Sequence, residues 1–218
     1  MAMIGIVCPL WAEAKPLLAW HPKPRIYKFK GYTWISLEWQ QQSIVIVHSR
    51  IGKMHAVKAT ELLIQHHSPR LLINFGSAGA ISQEVSIGSV VVASATAEYQ
   101  QTPPDSLLVK TDSELLELVH SIPQILTGPI VSADQNIESD FLKQELFFRY
   151  QALCGDWESA VVMKVCEQHQ ISALAFRVVS DFGDAEALSD FKRHHAYVLF
   201  KAAPLLEQFL NLWLSNYE

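Results

Sequence analysis

The sequence has little of what marks several common function classes. Only three of its 218 residues are cysteine, Cys8, Cys154 and Cys166, and no CxxC pair or metal-ligand spacing joins them. That argues against a zinc ribbon or a thioredoxin-type redox motif, and an odd count fits a reducing compartment, so a cytoplasmic protein is expected. No apolar run approaches the roughly 20 residues that a membrane span needs. Met1 to Cys8 has neither a basic start nor a cleavage site, so no membrane partner and no export are expected. Basic residues are in the minority, 17 Lys and Arg against 22 Asp and Glu, for a formal charge of −5. The densest positive run, Lys192-Arg193-His194-His195, reads as a solvated helix face, and no nucleic-acid partner is expected. The few glycines form no GxGxxG, and neither a Walker lysine nor a GxSxG is present. A dinucleotide site, a P-loop and a serine hydrolase of that type are thereby disfavoured. His48 and His55 find no nearby acid to complete a metal set. His66-His67 close a helix, where favourable charge–dipole contacts account for them. No metal or cofactor is expected.

What is present is apolar patterning. Half of the residues are hydrophobic and 18% are charged, enough for one sizeable core, so residues 1–218 are expected to form a single domain. The apolar surplus predicts a homo-oligomer. Ile4-Gly5-Ile6-Val7-Cys8 reads as a buried strand, followed by a helix from about Ala12 to Trp20. Arg25 to Glu38 is a predicted hairpin turning at Lys30-Gly31-Tyr32, and Ser43 to His48 a further strand. A helix over Met54 to Gln65 precedes the strand Leu71 to Phe75, with Gly76-Ser77-Ala78-Gly79 as a turn at its tip. Ser89 to Ala97 and Thr127 to Ser132 are predicted strands, with a short polar loop from Gln100 to Pro104. Helices are predicted at Leu115 to Val119, Asp140 to Tyr150 and Ala160 to Gln168. The strand Ala173 to Val179 and a long helix, Ser189 to Leu214, end the pattern. Strands alternating with helices predict an α/β fold of three layers, a central mixed twisted sheet flanked by helices.

Chemistry-bearing residues collect at the carboxyl ends of these strands, where ligands sit in open α/β sheets. Gly155-Asp156-Trp157-Glu158-Ser159 opens one helix, and Arg177-Val178-Val179-Ser180-Asp181 ends one strand. Burial would raise the pKa of Asp181, which suits a general acid, although an Asp before Phe182-Gly183 equally suits a turn. Glu158 can accept hydrogen bonds from vicinal hydroxyls, and Asp156 can cap the helix. Trp157 fits either a core or a ligand wall. Glu13 is aimed into the same region as Ser77, or is a helix-start carboxylate favoured by the macrodipole. The glycines at 76 and 79 would let backbone amides approach a ligand closely.

Taken in order, these segments resemble the nucleoside phosphorylase superfamily, and most of all its hydrolytic branch, the 5′-methylthioadenosine/S-adenosylhomocysteine nucleosidases. Ile4-Gly5-Ile6-Val7 with Glu13, Ile51-Gly52-Lys53, Ile73 to Gly79, Gly128 to Asp134, Asp156 to Ala160 and Arg177 to Asp181 carry the resemblance. It implies cleavage of the N-ribosyl bond of a purine nucleoside by a cofactor-free homodimer. It further implies that Asp181 protonates N7 of the base, oriented by Ser180, and that Glu13 activates water. Glu158 would bind the ribose hydroxyls over Trp157, Arg177 and Ser77 would hold the water region, and Ala78, Gly79 and Ile137 would line the substrate. Three departures qualify this. Arg50 stands where the nucleosidases carry glycine, leaving a phosphate-using phosphorylase as an alternative. Asn136 replaces a phenylalanine that stacks on adenine, and the loop after Tyr99 is short. These last two motivate a second alternative, a nucleoside-binding protein without turnover.

Overall fold

The computed structural model describes residues 3–99 and 108–217, so the loop expected at Gln100 to Pro104 lies outside the described residues. The chain begins with β1 (Met3–Cys8), α1 (Trp11–Ala14) and a 3-10 segment, Lys15–Trp20. The continuous helix expected to Trp20 is thus only one turn of α-helix. Pro16 has no N–H to bond back to Ala12, and the tighter 3-10 turn tolerates this near its start. Next come β2 (Arg25–Phe29), β3 (Tyr32–Trp39), β4 (Gln42–His48) and α2 (Lys53–His67). The β2–β3 hairpin turns where predicted, with Lys30 and Gly31 both at positive φ, the backbone that a tight two-residue turn requires.

The remaining elements are β5 (Leu71–Ala80), β6 (Val90–Glu98), β7 (Val109–Lys110), α3 (Ser113–His120), β8 (Ile125–Ser132) and α4 (Asp140–Tyr150). They are followed by β9 (Cys154–Asp156), α5 (Ser159–Gln168), β10 (Ser172–Asp181) and α6 (Ala187–Tyr217). All ten strands join one mixed sheet, in the order β10-β6-β8-β9-β5-β1-β4-β3-β2 with β7 on β6. β10 also pairs with β5, so β5, β10, β6, β8 and β9 close into a ring at one end while the other end stays open.

Strand alternation builds the layers. Ile4 and Ile6 of β1, Ile44 and Ile46 of β4, and Leu174, Phe176 and Val178 of β10 face one way, onto α3 and α6. Val7, Val45, Val47, Ala173 and Ala175 face the other, onto α2 and α5. Both faces are covered, as the nearly unbroken apolar strands predict. His66 and His67 differ from expectation. They pack edge-on and tilted against Phe29 and Trp34, and burial pushes the His67 pKa down, against the cation that a charge–dipole contact needs.

One element repositions the site. Gly76 to Ala80 is no turn: β5 runs straight through it. Gly76, Ser77, Ala78 and Gly79 all pair with β10, and Gly79 and Ala80 pair with β9, so every residue of the segment has a ladder partner and Gly79 has one on each side.

Candidate active site

A cleft of about 330 Å³ opens over the ends of β1, β5, β9 and β10. Of the side chains singled out in the sequence, Glu13, Ser77, Ala78, Gly79, Ile137, Trp157, Glu158, Ser180 and Asp181 line it. Arg177 does not. It lies beneath, 1% exposed, as the centre of a buried network. Its Nε donates to Asp156 Oδ2 at 2.6 Å and to Ser159 Oγ at 3.1 Å, and its Nη2 donates to Asn74. Burial alone would push its pKa down, but Asp156, Glu13 and Glu158 outweigh that and hold it above the ordinary guanidinium value.

Asp156 ties this network to the start of α5. Its Oδ1 accepts from the Glu158 and Ser159 amides at 3.2 and 3.1 Å, satisfying helix-end donors. Ser132 of β8 donates to the same oxygen and accepts from the Ala160 amide at 2.9 Å. The capping role expected of Asp156 is present, but its ion pair with Arg177 was not foreseen. Nor were Asn74 and Ser132, since nothing local in the sequence marks residues that meet only across four strands.

Glu13 sits 2% exposed at the opposite side of the cleft. Its Oε2 accepts from the Leu10 amide at 2.8 Å, closing the helix start. Its Oε1 accepts from Ser77 N at 2.9 Å and Ser77 Oγ at 3.1 Å. The glycines explain how these groups fit. A Cβ on Gly76 would collide with Arg177 Nη1 and Glu13 Oε1, and one on Gly79 would stand 2.8 Å from Asp181 Oδ1. Each glycine makes room for a protein carboxylate. That corrects the expectation of backbone amides bared to a ligand.

Asp181 ends β10, its Oδ2 accepting from Ser180 Oγ at 2.8 Å and its Oδ1 from the Gly183 amide at 3.1 Å. Burial pushes its pKa up, and those two donors only partly oppose the rise. Glu158, 5% exposed, accepts from the Gly52 amide at 2.7 Å. Burial first, then Asp156, raises its pKa to about 7. Asp156 lines the cleft as well, so four buried carboxylates face one cavity, and the pKa values of Glu158 and Asp181 are raised.

The rim completes the geometry. Ile51, Leu10, Leu188 and Phe191 supply an apolar wall, and among the described residues Trp157 and Phe191 are its aromatic members. Asn136 also lines the cleft, its amide donating to Glu138 Oε1 at 2.7 Å. Arg50 does not line it. The Arg50 guanidinium donates to Gly31 O at 2.7 Å and sits over the Tyr32 ring. Among the described residues no lysine, arginine or histidine lines the cleft, and no cluster of His, Cys, Asp and Glu is arranged to hold a metal ion. All three cysteines are free and buried, and burial raises their thiol pKa values, Cys166 to about 12, so none is an activated nucleophile. No helix of the described residues is long and apolar enough to cross a membrane.

The chain is similar to 5′-methylthioadenosine/S-adenosylhomocysteine nucleosidase of Staphylococcus aureus, 30% identical over 210 residues, covering 87% of this chain and 91% of that one. Among solved structures it superposes on a Helicobacter pylori 5′-methylthioadenosine/S-adenosylhomocysteine nucleosidase variant holding 5′-methylthioadenosine. The TM-score is 0.91 at 21% identity, covering 97% of this chain and 99% of that one. It superposes as closely on futalosine hydrolase of the same organism, with a TM-score of 0.90 at 21% identity, covering 96% and 97% of the two chains. A family model described as the phosphorylase superfamily matches residues 3–211, and the chain belongs to that superfamily.

Proposed function

We propose that the protein hydrolyses the N-ribosyl bond of an adenine-containing, 5′-substituted purine nucleoside, releasing free base. The observation that carries this reading is the placing of Glu13, Glu158 and Asp181, with Asp156 beside them, as buried carboxylates around one cleft that no cation lines among the described residues. Breaking the bond develops positive charge on the sugar and negative charge on the base, as in other glycoside cleavage. Asp181, its pKa raised by burial, hands a proton to N7 and makes the base a neutral leaving group, while Ser180 fixes the carboxyl rotamer. Glu158 binds the ribose 2′- and 3′-hydroxyls and, once ionised, favours the cationic sugar. Glu13, anchored by Ser77 and Leu10, takes the proton of the attacking water. Arg177 Nη1 supports that end from beneath.

Water is the nucleophile that fits. A phosphate dianion entering this cleft would meet carboxylates and, among the described residues, no lysine or arginine on the wall to repay its desolvation. Arg50, the one residue that kept phosphorolysis open, is directed at the β2–β3 hairpin. The 5′ substituent is the open variable, because the similar proteins are named for methylthioadenosine, S-adenosylhomocysteine and futalosine. Exposed Met54, Phe141 and Phe148, at 84%, 79% and 84%, support a homodimer, which sedimentation would register as twice the chain mass.

The test is a panel of those three nucleosides incubated with and without phosphate, with free base followed by chromatography. Release independent of phosphate is expected, and strict dependence on phosphate would make the protein a phosphorylase. Asp181→Asn should lower kcat by about a hundredfold or more, the usual worth of a general acid. Unchanged turnover would remove Asp181 from the mechanism.

A further inference from the structure

The basic run Lys192 to His195 is not one solvated face. His195 falls in register with Val198, Leu199, Ala202 and Leu206, the buried stripe of α6, and is 8% exposed. Its ring packs on Phe191, centroids 4.3 Å apart and tilted by 34°, and Phe191 itself lines the cleft. Nε2 of His195 stands 4.0 Å from Glu13 Oε1 and has no hydrogen-bond partner among the described residues. A buried polar nitrogen left unpaired costs free energy, so its position against one carboxylate oxygen calls for a reason.

A second nitrogen repeats the pattern. Arg177 Nη1 is also buried without a partner among the described residues, and like Glu13 Oε1 it occupies the space that a Cβ on Gly76 would fill. A carboxylate offers about four lone-pair sites. Leu10 N, Ser77 N and Ser77 Oγ occupy three, which already suffices to close a helix start. The two additional nitrogens from β10 and α6 are surplus to that structural task. His195 Nε2 is the one whose distance to Oε1 is within 4.0 Å. The other ionisable groups around Glu13 are His48 from β4, Cys8 from β1 and Glu158 at the start of α5.

We propose that His195 is a positioning residue for the general base. Its imidazole presents Nε2–H to Glu13 Oε1 and keeps that oxygen, and the charge on it, directed at the attacking water. Catalytic hydrogen bonds are often long in an unliganded site and shorten when substrate binds, which is the change that the 4.0 Å separation requires. The proposal rests on the hydrolytic reading above.

Base release should be measured for wild type, His195→Leu and His195→Gln with whichever panel nucleoside wild type cleaves fastest. Loss of one hydrogen bond to a charged group predicts a fall in kcat of about tenfold to a hundredfold in His195→Leu, with KM within about twofold. His195→Gln keeps a side-chain N–H of similar reach and should recover to within about threefold of wild type. If His195→Leu does not fold by circular dichroism, His195→Asn, whose amide is too short to reach Glu13, takes its place and should show the same loss. Wild-type kcat in His195→Leu, or in His195→Asn where that replaces it, overturns the positioning role. Equal impairment of the leucine (or asparagine) and glutamine variants, with KM raised in step, also overturns it, because that is the mark of packing alone. A wild type that releases no base from any panel nucleoside overturns the hydrolytic reading and the role of His195 with it.

Discussion

The floor and the rim of the cleft are built on opposite principles. In the floor, Arg177, Asp156, Ser159 and Asn74 are all buried and joined to one another, with Ser132 bonded to Asp156, through side chains from β5, β8, β9, α5 and β10. In the rim, Ile51 is 51% and Leu188 56% exposed, and Asn136 bonds its near neighbour Glu138. The floor gains its geometry from many long-range bonds in a low-dielectric setting, where each member depends on the others. The rim has few such ties. On the proposed function, the acid–base carboxylates rest on the part that is hard to alter, and choice of substrate on the part that is easy to alter.

Breaking the floor should have the largest effect. Arg177→Met leaves Asp156 as an uncompensated buried charge, and loss of one partner of such a pair costs about 3–5 kcal/mol. Denaturant unfolding at pH 7 should show that loss, with base release abolished as well. Adding Asp156→Leu removes the stranded charge, so the double variant should regain much of the stability but none of the activity. Stability within about 1 kcal/mol of wild type in Arg177→Met would show that the pair does not hold the floor.

Glu158 sharpens the comparison, because it stands between the two regions and is charged at a cost. Its folded pKa is raised from 4.5 to about 7. Below about pH 4.5 the carboxyl is protonated whether the chain is folded or not, and its full contribution to stability is present. As pH rises through 7 the unfolded chain ionises freely while the folded one must ionise in a buried site, so that contribution is lost. Glu158→Gln keeps an acceptor for Gly52 N without the charge. It should be more stable than wild type by about 2–3 kcal/mol at pH 8 and equal to it at pH 4, by thermal or urea unfolding. Equal stability at both pH values would mean that Glu158 is not desolvated as its burial indicates. The same variant should lose turnover, since the amide cannot offset positive charge on the ribose.

These differences follow what could be seen in the sequence. The eight longer strands of the three-layer fold were legible, because alternation and apolar runs report burial on two faces, while the short β7 and β9 were not. Even α4 has the limits that its pattern predicts, Asp140 to Tyr150. Gly76 to Ala80 was misjudged because two glycines in five residues signal a turn locally, while pairing with both β9 and β10 keeps them extended. Glu13, Glu158 and Asp181 were legible as carboxylates placed at strand ends and helix starts. His195 was legible in principle from its spacing to Val198 and Leu199, but its three basic neighbours hid that periodicity. The ion pair of Asp156 with Arg177 was not legible, since 21 residues and a whole helix separate its members.

The rim yields the smallest effect and the most informative about substrate. Asn136 is exposed, lines the cleft and spends its amide on Glu138, so it offers no flat apolar face to a base. Asn136→Phe supplies one. Base–aromatic stacking is worth about 1–3 kcal/mol, and part of that is spent ordering a side chain at an exposed rim, so KM for methylthioadenosine should fall by about fivefold to tenfold. The floor is untouched, so kcat should stay within about twofold of wild type. A fall in kcat with KM unchanged would place Asn136 in the chemistry and erase the division between rim and floor. If neither constant moves, the base does not pass over position 136 at all, and Trp157 or Phe191, the aromatic groups already on the wall, become the residues to truncate next.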